Sequence, residues 1–237
     1  MKNKLIKAAK KLAEVTSAMT FQPPVQYVYN PLDYAWAGHE AYLNKFGHGQ
    51  KRVIFVGMNP GPWGMAQTGV PFGEVKAVSQ WMGLYALISK PAKEHPKRPI
   101  EGFDCPRSEV SGRRLWGLFA ERFGAPENFF KDHFVMNYCP LIFMSESGGN
   151  LTPDKLRAQE AKPLFDASDE HLQAVADILQ PEWVVGVGAF AEERLQNGLG
   201  DKVKIGKVLH PSPSSPAANR GWAPLATKQL IAQGIWS

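Results

Sequence analysis

Apolar residues along this chain follow two rhythms. Short, nearly continuous runs at Arg52–Gly57, His133–Tyr138, Trp183–Val187 and Lys207–His210 read as strands buried on both faces. Between them the apolar positions recur at helical spacing. Ser111 caps a predicted helix through Gly124, with Leu115, Leu118, Phe119 and Phe123 as its apolar face. Thr152-Pro153 opens another, the proline standing where its missing N–H costs nothing. Ser168 caps the next, which runs to Leu179 ahead of Pro181. A further helix carries Ala191 and Leu195, and a closing one runs from Ala223 to Gln233. At the N-terminus, Leu5, Ile6, Ala9, Leu12, Ala13 and Met19 mark an amphipathic helix at about 1–20. Strands separated by helices predict an α/β fold with a parallel sheet covered on both faces. The Pro- and charge-rich stretch from Lys90 to Pro106 reads as a surface excursion, so residues 1–237 are expected to form a single domain.

Composition narrows the class. A chain of 237 residues with 44% hydrophobic content and a mean hydropathy of -0.27 has the makings of a soluble globular protein. Two cysteines, Cys105 and Cys139, cannot build a disulfide framework or a four-cysteine zinc or iron–sulfur site. No apolar run approaches the ~20 residues of a membrane span, and the N-terminal helix lacks the core and cleavage site of a secretory signal. The expected location is the cytoplasm, beside the nucleoid, or the nucleus of a eukaryote. Net charge is +5, and its placement says more than its size. Lys2, Lys4, Lys7, Lys10 and Lys11 precede the first acid, and Lys202 to Ser237 carries five cations and no carboxylate. Such an excess attracts phosphates.

Candidate chemistry sits at the strand ends, where open α/β sheets bind ligands. Three carry polar signatures: Gly57-Met-Asn-Pro-Gly-Pro62, Asn137-Tyr-Cys-Pro140 and His210-Pro-Ser-Pro213. The third strand ends in plain Gly-Val-Gly. The first loop is neither a Walker A motif nor a dinucleotide fingerprint, and no serine sits in a nucleophile elbow. What remains is Asn59, Asn137 and His210, with no carboxylate among them. Such a set lacks a strong base and the usual covalent nucleophiles. It orients water, hydrogen-bonds an amide-like edge and stabilises a departing anion.

The stretch from Gly57 to Glu74 (GMNPGPWGMAQTGVPFGE) resembles the first motif of the uracil-DNA glycosylase superfamily, in its single-strand-selective monofunctional branch. The likeness continues through Tyr29–Trp36, Ser108–Gly112, Phe134–Pro140, Asn150–Pro153 and Val184–Gly188, and ends with His210–Pro213 and Pro216–Trp222. It covers the chain from about Val28 onward and implies a central four-stranded parallel sheet flanked by helices. The activity implied is hydrolytic removal of uracil from DNA by a monomer, with no metal and no cofactor.

Roles follow from that resemblance and can be weighed against physics. Asn59 would hold the water that attacks C1′ of a flipped-out nucleotide, and His210 would stabilise the uracilate anion at O2. A donor aimed at charge that develops in the transition state is worth roughly 3–4 kcal/mol. Whether His210 is neutral or protonated is left open by the sequence. Asn137 would read uracil O4 and N3–H, leaving cytosine with orphaned groups at ~1–3 kcal/mol each. Phe72 would stack on the base, Met58 would contribute backbone rather than side chain, and Gly57 belongs to the same base-binding set. Gly61 stands where uracil-specific relatives carry a tyrosine, which implies room at C5 for 5-hydroxymethyluracil and a wider cavity for xanthine.

DNA contacts implied by the likeness are Asn150, Thr152 and Lys155, with a helix N-terminus at Thr152 suited to phosphate. To these are added Ser212, Ser214, Ser215 and Arg220 in the wedge segment. Relatives often carry Arg-Asn where Ser214-Ser215 stand, so a phosphate or base-stack contact is missing here. Rival readings are a mismatch-specific thymine/uracil glycosylase, which generally lacks the histidine of the last motif, and a silent nucleic-acid-binding module on the same fold. His210 argues against the first, and the intact Asn59, Asn137 and His210 set against the second.

Overall fold

The computed structural model describes the backbone of residues 1–237 and every side chain except that of Lys2. The chain begins with α1 (Lys2–Ser17), β1 (Tyr27–Tyr29), α2 (Pro31–Tyr34) and α3 (Trp36–Phe46). Next come β2 (Val53–Gly57), α4 (Met65–Thr68), α5 (Val110–Phe123), α6 (Pro126–Asp132) and β3 (His133–Asn137). Then follow β4 (Ile142–Met144), β5 (Asn150–Leu151), α7 (Ala158–Leu179), β6 (Trp183–Val187) and α8 (Ala189–Leu199). The chain closes with β7 (Lys204–Val208), α9 (Pro216–Asn219) and α10 (Trp222–Ala232).

Four strands form the expected parallel sheet in the order β3-β2-β6-β7. The first three are buried almost throughout, which is why they read as unbroken apolar runs. Register brings the strand ends level: Gly57 pairs with Asn137, and Val187 with Val208. From β2 the chain moves outward to β3, then returns to β6 on the other side of β2. The topological switch therefore lies between β2 and β6, under the motif loops.

Several elements differ from expectation. The last strand ends at Val208, not His210, and starts at Lys204. It is an edge strand with Lys204 and Lys207 exposed, so its alternating pattern hid its start. Thr152-Pro153 opens only a single 3-10 turn, Pro153–Lys155, and no helix. The long helix begins at Ala158, where the Glu160 carboxylate accepts from the backbone N–H groups of Arg157 (3.4 Å) and Gln22 (2.6 Å). It continues past Pro163 because Leu164, Leu172, Val175 and Leu179 bury one face. Ser168 is thus a buried mid-helix residue and caps nothing. Ser111 falls in the first turn of α5, whose N-cap position is Glu109. A second, antiparallel sheet of order β1-β4-β5, unforeseen from the sequence, carries the Asn150 segment toward the strand ends.

Two segments prove more firmly tied than their composition suggests. Buried Asn30 caps α2 through Leu32 N–H (3.1 Å) and donates to Ala13 O, Thr16 Oγ1 and Ser17 Oγ, which fastens α1. The Lys90–Pro106 excursion is pinned by Gln67, which donates to Pro62 O and Pro99 O and accepts from Glu101 and Gly102 N–H. The basic ends are also partly neutralised within the fold. Lys11 pairs with Glu170, Lys204 with Glu182 and Lys207 with Glu192. No helix among the described residues is long and apolar enough to cross a membrane.

Burial holds three histidines of the scaffold, His39, His133 and His171, at a pKa of about 4. Each is neutral in the fold, and the unfolded chain binds the extra protons. Their contribution is therefore complete above pH 6.5 and declines as pH falls from 6.5 toward 4, by up to about 1.4 kcal/mol per pH unit for each. Thermal unfolding midpoints should drop steadily between pH 7 and pH 4.5. A flat profile over that range contradicts the assignment.

Candidate active site

The three motif loops meet over the switch point around a cavity of about 470 Å³. Its lining includes Met58, Asn59, Gly61, Phe72, Asn137 and His210 from the expected base site. Asn150, Thr152, Ser212, Ser214 and Ser215 also line it, so most of the expected DNA contacts stand at the same opening. Gly57 lies beneath. A Cβ there would come within 2.5 Å of the Phe72 ring and 2.7 Å of Asn137 Oδ1. Glycine at the end of β2 is what allows Phe72 and Asn137 to converge. Pairing of β2 with β3 continues into the loop, with Gly57 O accepting from Tyr138 N–H (2.8 Å) and Met58 O from Cys139 N–H (2.9 Å). Lys155 and Arg220 are exposed and absent from the lining, and Lys155 pairs with Asp154 at 2.9 Å.

Asn59 and His210 are each held by a backbone neighbour that leaves one atom free for a ligand, and Asn137 Nδ2 rests on Met65 Sδ at 3.3 Å. Asn59 Nδ2 donates to Leu141 O (3.0 Å), which commits the amide nitrogen and leaves Oδ1 as an acceptor. The His210 Nδ1 accepts from Ser212 N–H (3.1 Å), so the neutral ring carries its proton on Nε2. Burial lowers the His210 pKa to about 4, which makes it a neutral donor at physiological pH. The plain end of β6 has a purpose here. Gly188 stands at φ +96, a conformation that L side chains rarely adopt, and a Cβ on it would lie a tight 3.2 Å from His210 Cβ, so glycine suits the crossing of the histidine loop over β6. Arg114, which the sequence did not single out, braces that loop through Pro211 O and Asn219 Oδ1, both at 2.9 Å.

Phe72 is one of two non-glycine residues in the left-handed region, at φ 52. Holding that conformation costs ~1–3 kcal/mol and must be over-determined by the surroundings. Its carbonyl accepts from Trp116 Nε1 (3.0 Å) and Glu74 N–H (2.7 Å). Gly112 lets α5 approach that carbonyl, where a Cβ would lie only 2.1 Å away.

The absence of a carboxylate, expected from the sequence, does not hold: Glu109 lines the cavity. Burial, and then the nearby Glu74 carboxyl, push its pKa up to about 7. Its carboxyl also takes the space left by Gly61, since a Cβ there would meet Oε1 at 2.4 Å. The room expected beside Gly61 is thus bounded by a polar group. Trp63, on the same loop, carries the guanidinium groups of Arg98 and Arg107 over its ring at 5.4 and 4.5 Å. A larger cleft of about 860 Å³ between α5 and α10, lined by Leu118, Arg122, Pro224 and Ile231 among others, contains none of the motif residues.

The sequence profile of the Uracil DNA glycosylase superfamily matches residues 44–231, the span that holds every one of these loops. The chain belongs to the uracil-DNA glycosylase superfamily. Within it, the chain is 47% identical over 222 residues to the single-strand selective monofunctional uracil-DNA glycosylase of Rattus norvegicus, covering 92% of this chain and 80% of that one. The Bos taurus protein of the same name is 46% identical over 220 residues, covering 92% and 81%. A crystal structure of wild-type Pedobacter heparinus SMUG2 superposes with a TM-score of 0.68 over 96% of this chain and 97% of that one. At 18% identity that likeness concerns the fold alone.

The contact between α5 and Phe72 of this superfamily member is testable with a matched pair. Gly117, also on α5, has open space where a Cβ would go. Gly117→Ala should stabilise the protein by up to about 1 kcal/mol through helix propensity. Gly112→Ala should destabilise it by about 1–3 kcal/mol through overpacking. Urea unfolding compares them; equal shifts would contradict the close approach.

Proposed function

We propose that this chain is a monofunctional DNA glycosylase that hydrolyses the N-glycosyl bond of deoxyuridine and leaves an abasic site. The reading extends to 5-hydroxymethyluracil and xanthine, to single- and double-stranded DNA, and to a monomer acting as one 237-residue domain in the nucleus or at the nucleoid. What carries it is one observation: Asn59, Asn137, His210 and Phe72 line a single cavity, with Asn59 Oδ1 and His210 Nε2–H not committed to the backbone.

In this reading the base leaves the stack and lies on Phe72, gaining ~1–3 kcal/mol per stacked base. Asn137 presents a donor and an acceptor to O4 and N3–H. As the bond from C1′ to N1 breaks, its electron pair passes to the base, and His210 Nε2–H hydrogen-bonds the negative charge gathering at O2. A neutral imidazole stabilises the anion without having to surrender its proton. Asn59 Oδ1 accepts a hydrogen bond from the water whose oxygen bonds to C1′. An amide is too weak a base to deprotonate that water first, so bond breaking runs ahead of attack, and the proton released once oxygen has bonded to C1′ passes to the uracilate or to bulk water. At the opening, Asn150, Thr152, Ser212, Ser214 and Ser215 offer neutral contacts to the DNA backbone, which favours flexible strands over forced entry into a duplex. Lys155 and Arg220 are peripheral phosphate contacts in this arrangement.

Excision of uracil from an oligonucleotide should persist in EDTA, with strand cleavage appearing only after alkali. Asn59→Ala and His210→Ala should each lower the single-turnover rate by at least about 100-fold, the scale of one lost transition-state hydrogen bond, while DNA binding stays nearly unchanged. A borohydride-trapped adduct, or near-wild-type rates in either variant, would overturn these roles.

A further inference from the structure

The Glu109 carboxyl has no part in the reaction just described, yet the fold makes a place for it. Three glycines from two segments form its niche. A Cβ on Gly61 would meet Oε1 at 2.4 Å, one on Gly64 would meet Oε2 at 2.1 Å, and one on Gly112 would meet Oε2 at 2.9 Å. Any larger residue at these positions would displace the carboxyl. Oε2 is nevertheless buried without a hydrogen-bond partner. Buried polar atoms in native proteins are almost always satisfied, and an orphaned carboxyl destabilises the fold that holds it. A group retained in that state at the wall of a binding cavity is a candidate for pairing with the ligand.

The position of Glu109 indicates which part of the ligand it would meet. A uracil lying on Phe72, with O2 at His210 and N3–H and O4 at Asn137, turns its remaining C5–C6 edge to the wall not yet assigned. The lining residues with no role yet are Pro60, Gly61, Glu109 and Ser111, and the Glu109 carboxyl packs against Gly61. We propose that Glu109 is the specificity-determining residue at the C5 edge of the base, hydrogen-bonding a hydroxymethyl group there and disfavouring a methyl group. The inference rests on the base orientation given under the proposed function. A hydroxymethyl oxygen brings a further hydrogen bond to a carboxyl that has one oxygen without a partner. A methyl group covers the same carboxyl and offers nothing in return, so thymine is penalised electrostatically even though Gly61 leaves no bulky side chain in its way. A raised pKa suits this role, since the acid form donates to a hydroxyl and the anion accepts from one.

The test compares single-turnover excision of uracil, 5-hydroxymethyluracil and thymine by the wild type, Glu109→Gln and Glu109→Leu. Rates for each variant are divided by its own uracil rate, which removes any common effect on loop position. The hydroxymethyluracil-to-uracil ratio should fall about ten-fold or more in Glu109→Leu and less in Glu109→Gln. The thymine-to-uracil ratio should rise in Glu109→Leu, a gain that a merely structural role would not produce. Unchanged ratios with all rates falling together would overturn the proposal and make Glu109 a support for the 57–64 loop. A wild type that removes uracil but not 5-hydroxymethyluracil overturns it too and leaves the glycosylase reading standing. No excision of any base by the wild type would sink that reading and this inference with it. Should Glu109→Leu fail to fold, the Glu109→Gln ratio decides alone.

Discussion

The site depends on one close approach, that of the Phe72 backbone to α5. Phe72 holds a left-handed conformation that a phenylalanine does not adopt unaided, and its carbonyl is clamped by Trp116 and by the backbone of Glu74. Only Gly112 lets the helix come near enough for that clamp, and only Gly57 leaves room for the ring that results. With the Phe72 ring in place, Asn137 lies beside it across the missing side chain of Gly57. His210 completes the set by crossing the end of β6 above Gly188. Glycines thus set the site by being absent as side chains. The groups that face the cavity are conventional polar residues locked by neighbours.

The chemistry available is correspondingly restrained. Asn59 and His210 are both neutral in this structure, and each has one hydrogen-bonding atom committed to the backbone and one left free. Preorganised neutral donors stabilise developing charge without competing to protonate it. That arrangement suits a leaving group able to depart as an anion. The carboxyl that lines the cavity, Glu109, stands beside Gly61 and Gly64. Its raised pKa keeps part of the population neutral near pH 7, which limits repulsion of an anionic product.

Much of this was legible in the sequence, and for physical reasons. β2, β3 and β6 are central strands, so their side chains are apolar on both faces and the runs stand out. The polar residues ending two of them, and the His210 loop, were visible as departures from that pattern. An edge strand has no such signature, which is why β7 was displaced toward Leu209 and His210. α7 reads as two helices because Thr152-Pro153 and Ser168 carry local start and cap signals that burial of Leu164, Leu172 and Leu179 overrides. The small antiparallel sheet was invisible because its strands are only two or three residues long. Glu109 was missed for a different reason. Within Ser108-Glu-Val-Ser111 it looks like an ordinary acid at a helix start, and only the fold brings it against glycines of a distant loop.

The proposed function requires that the cavity at the switch point receive a uracil base in one orientation, flat on Phe72 and read by Asn137 and His210. A crystal structure of this protein grown with free uracil tests that directly. The expected density places the ring on Phe72, with O4 and N3–H on the Asn137 amide, O2 at His210 Nε2 and C5 toward Glu109. Uracil bound in another cleft with this cavity empty, or bound here with O2 turned away from His210, would contradict it.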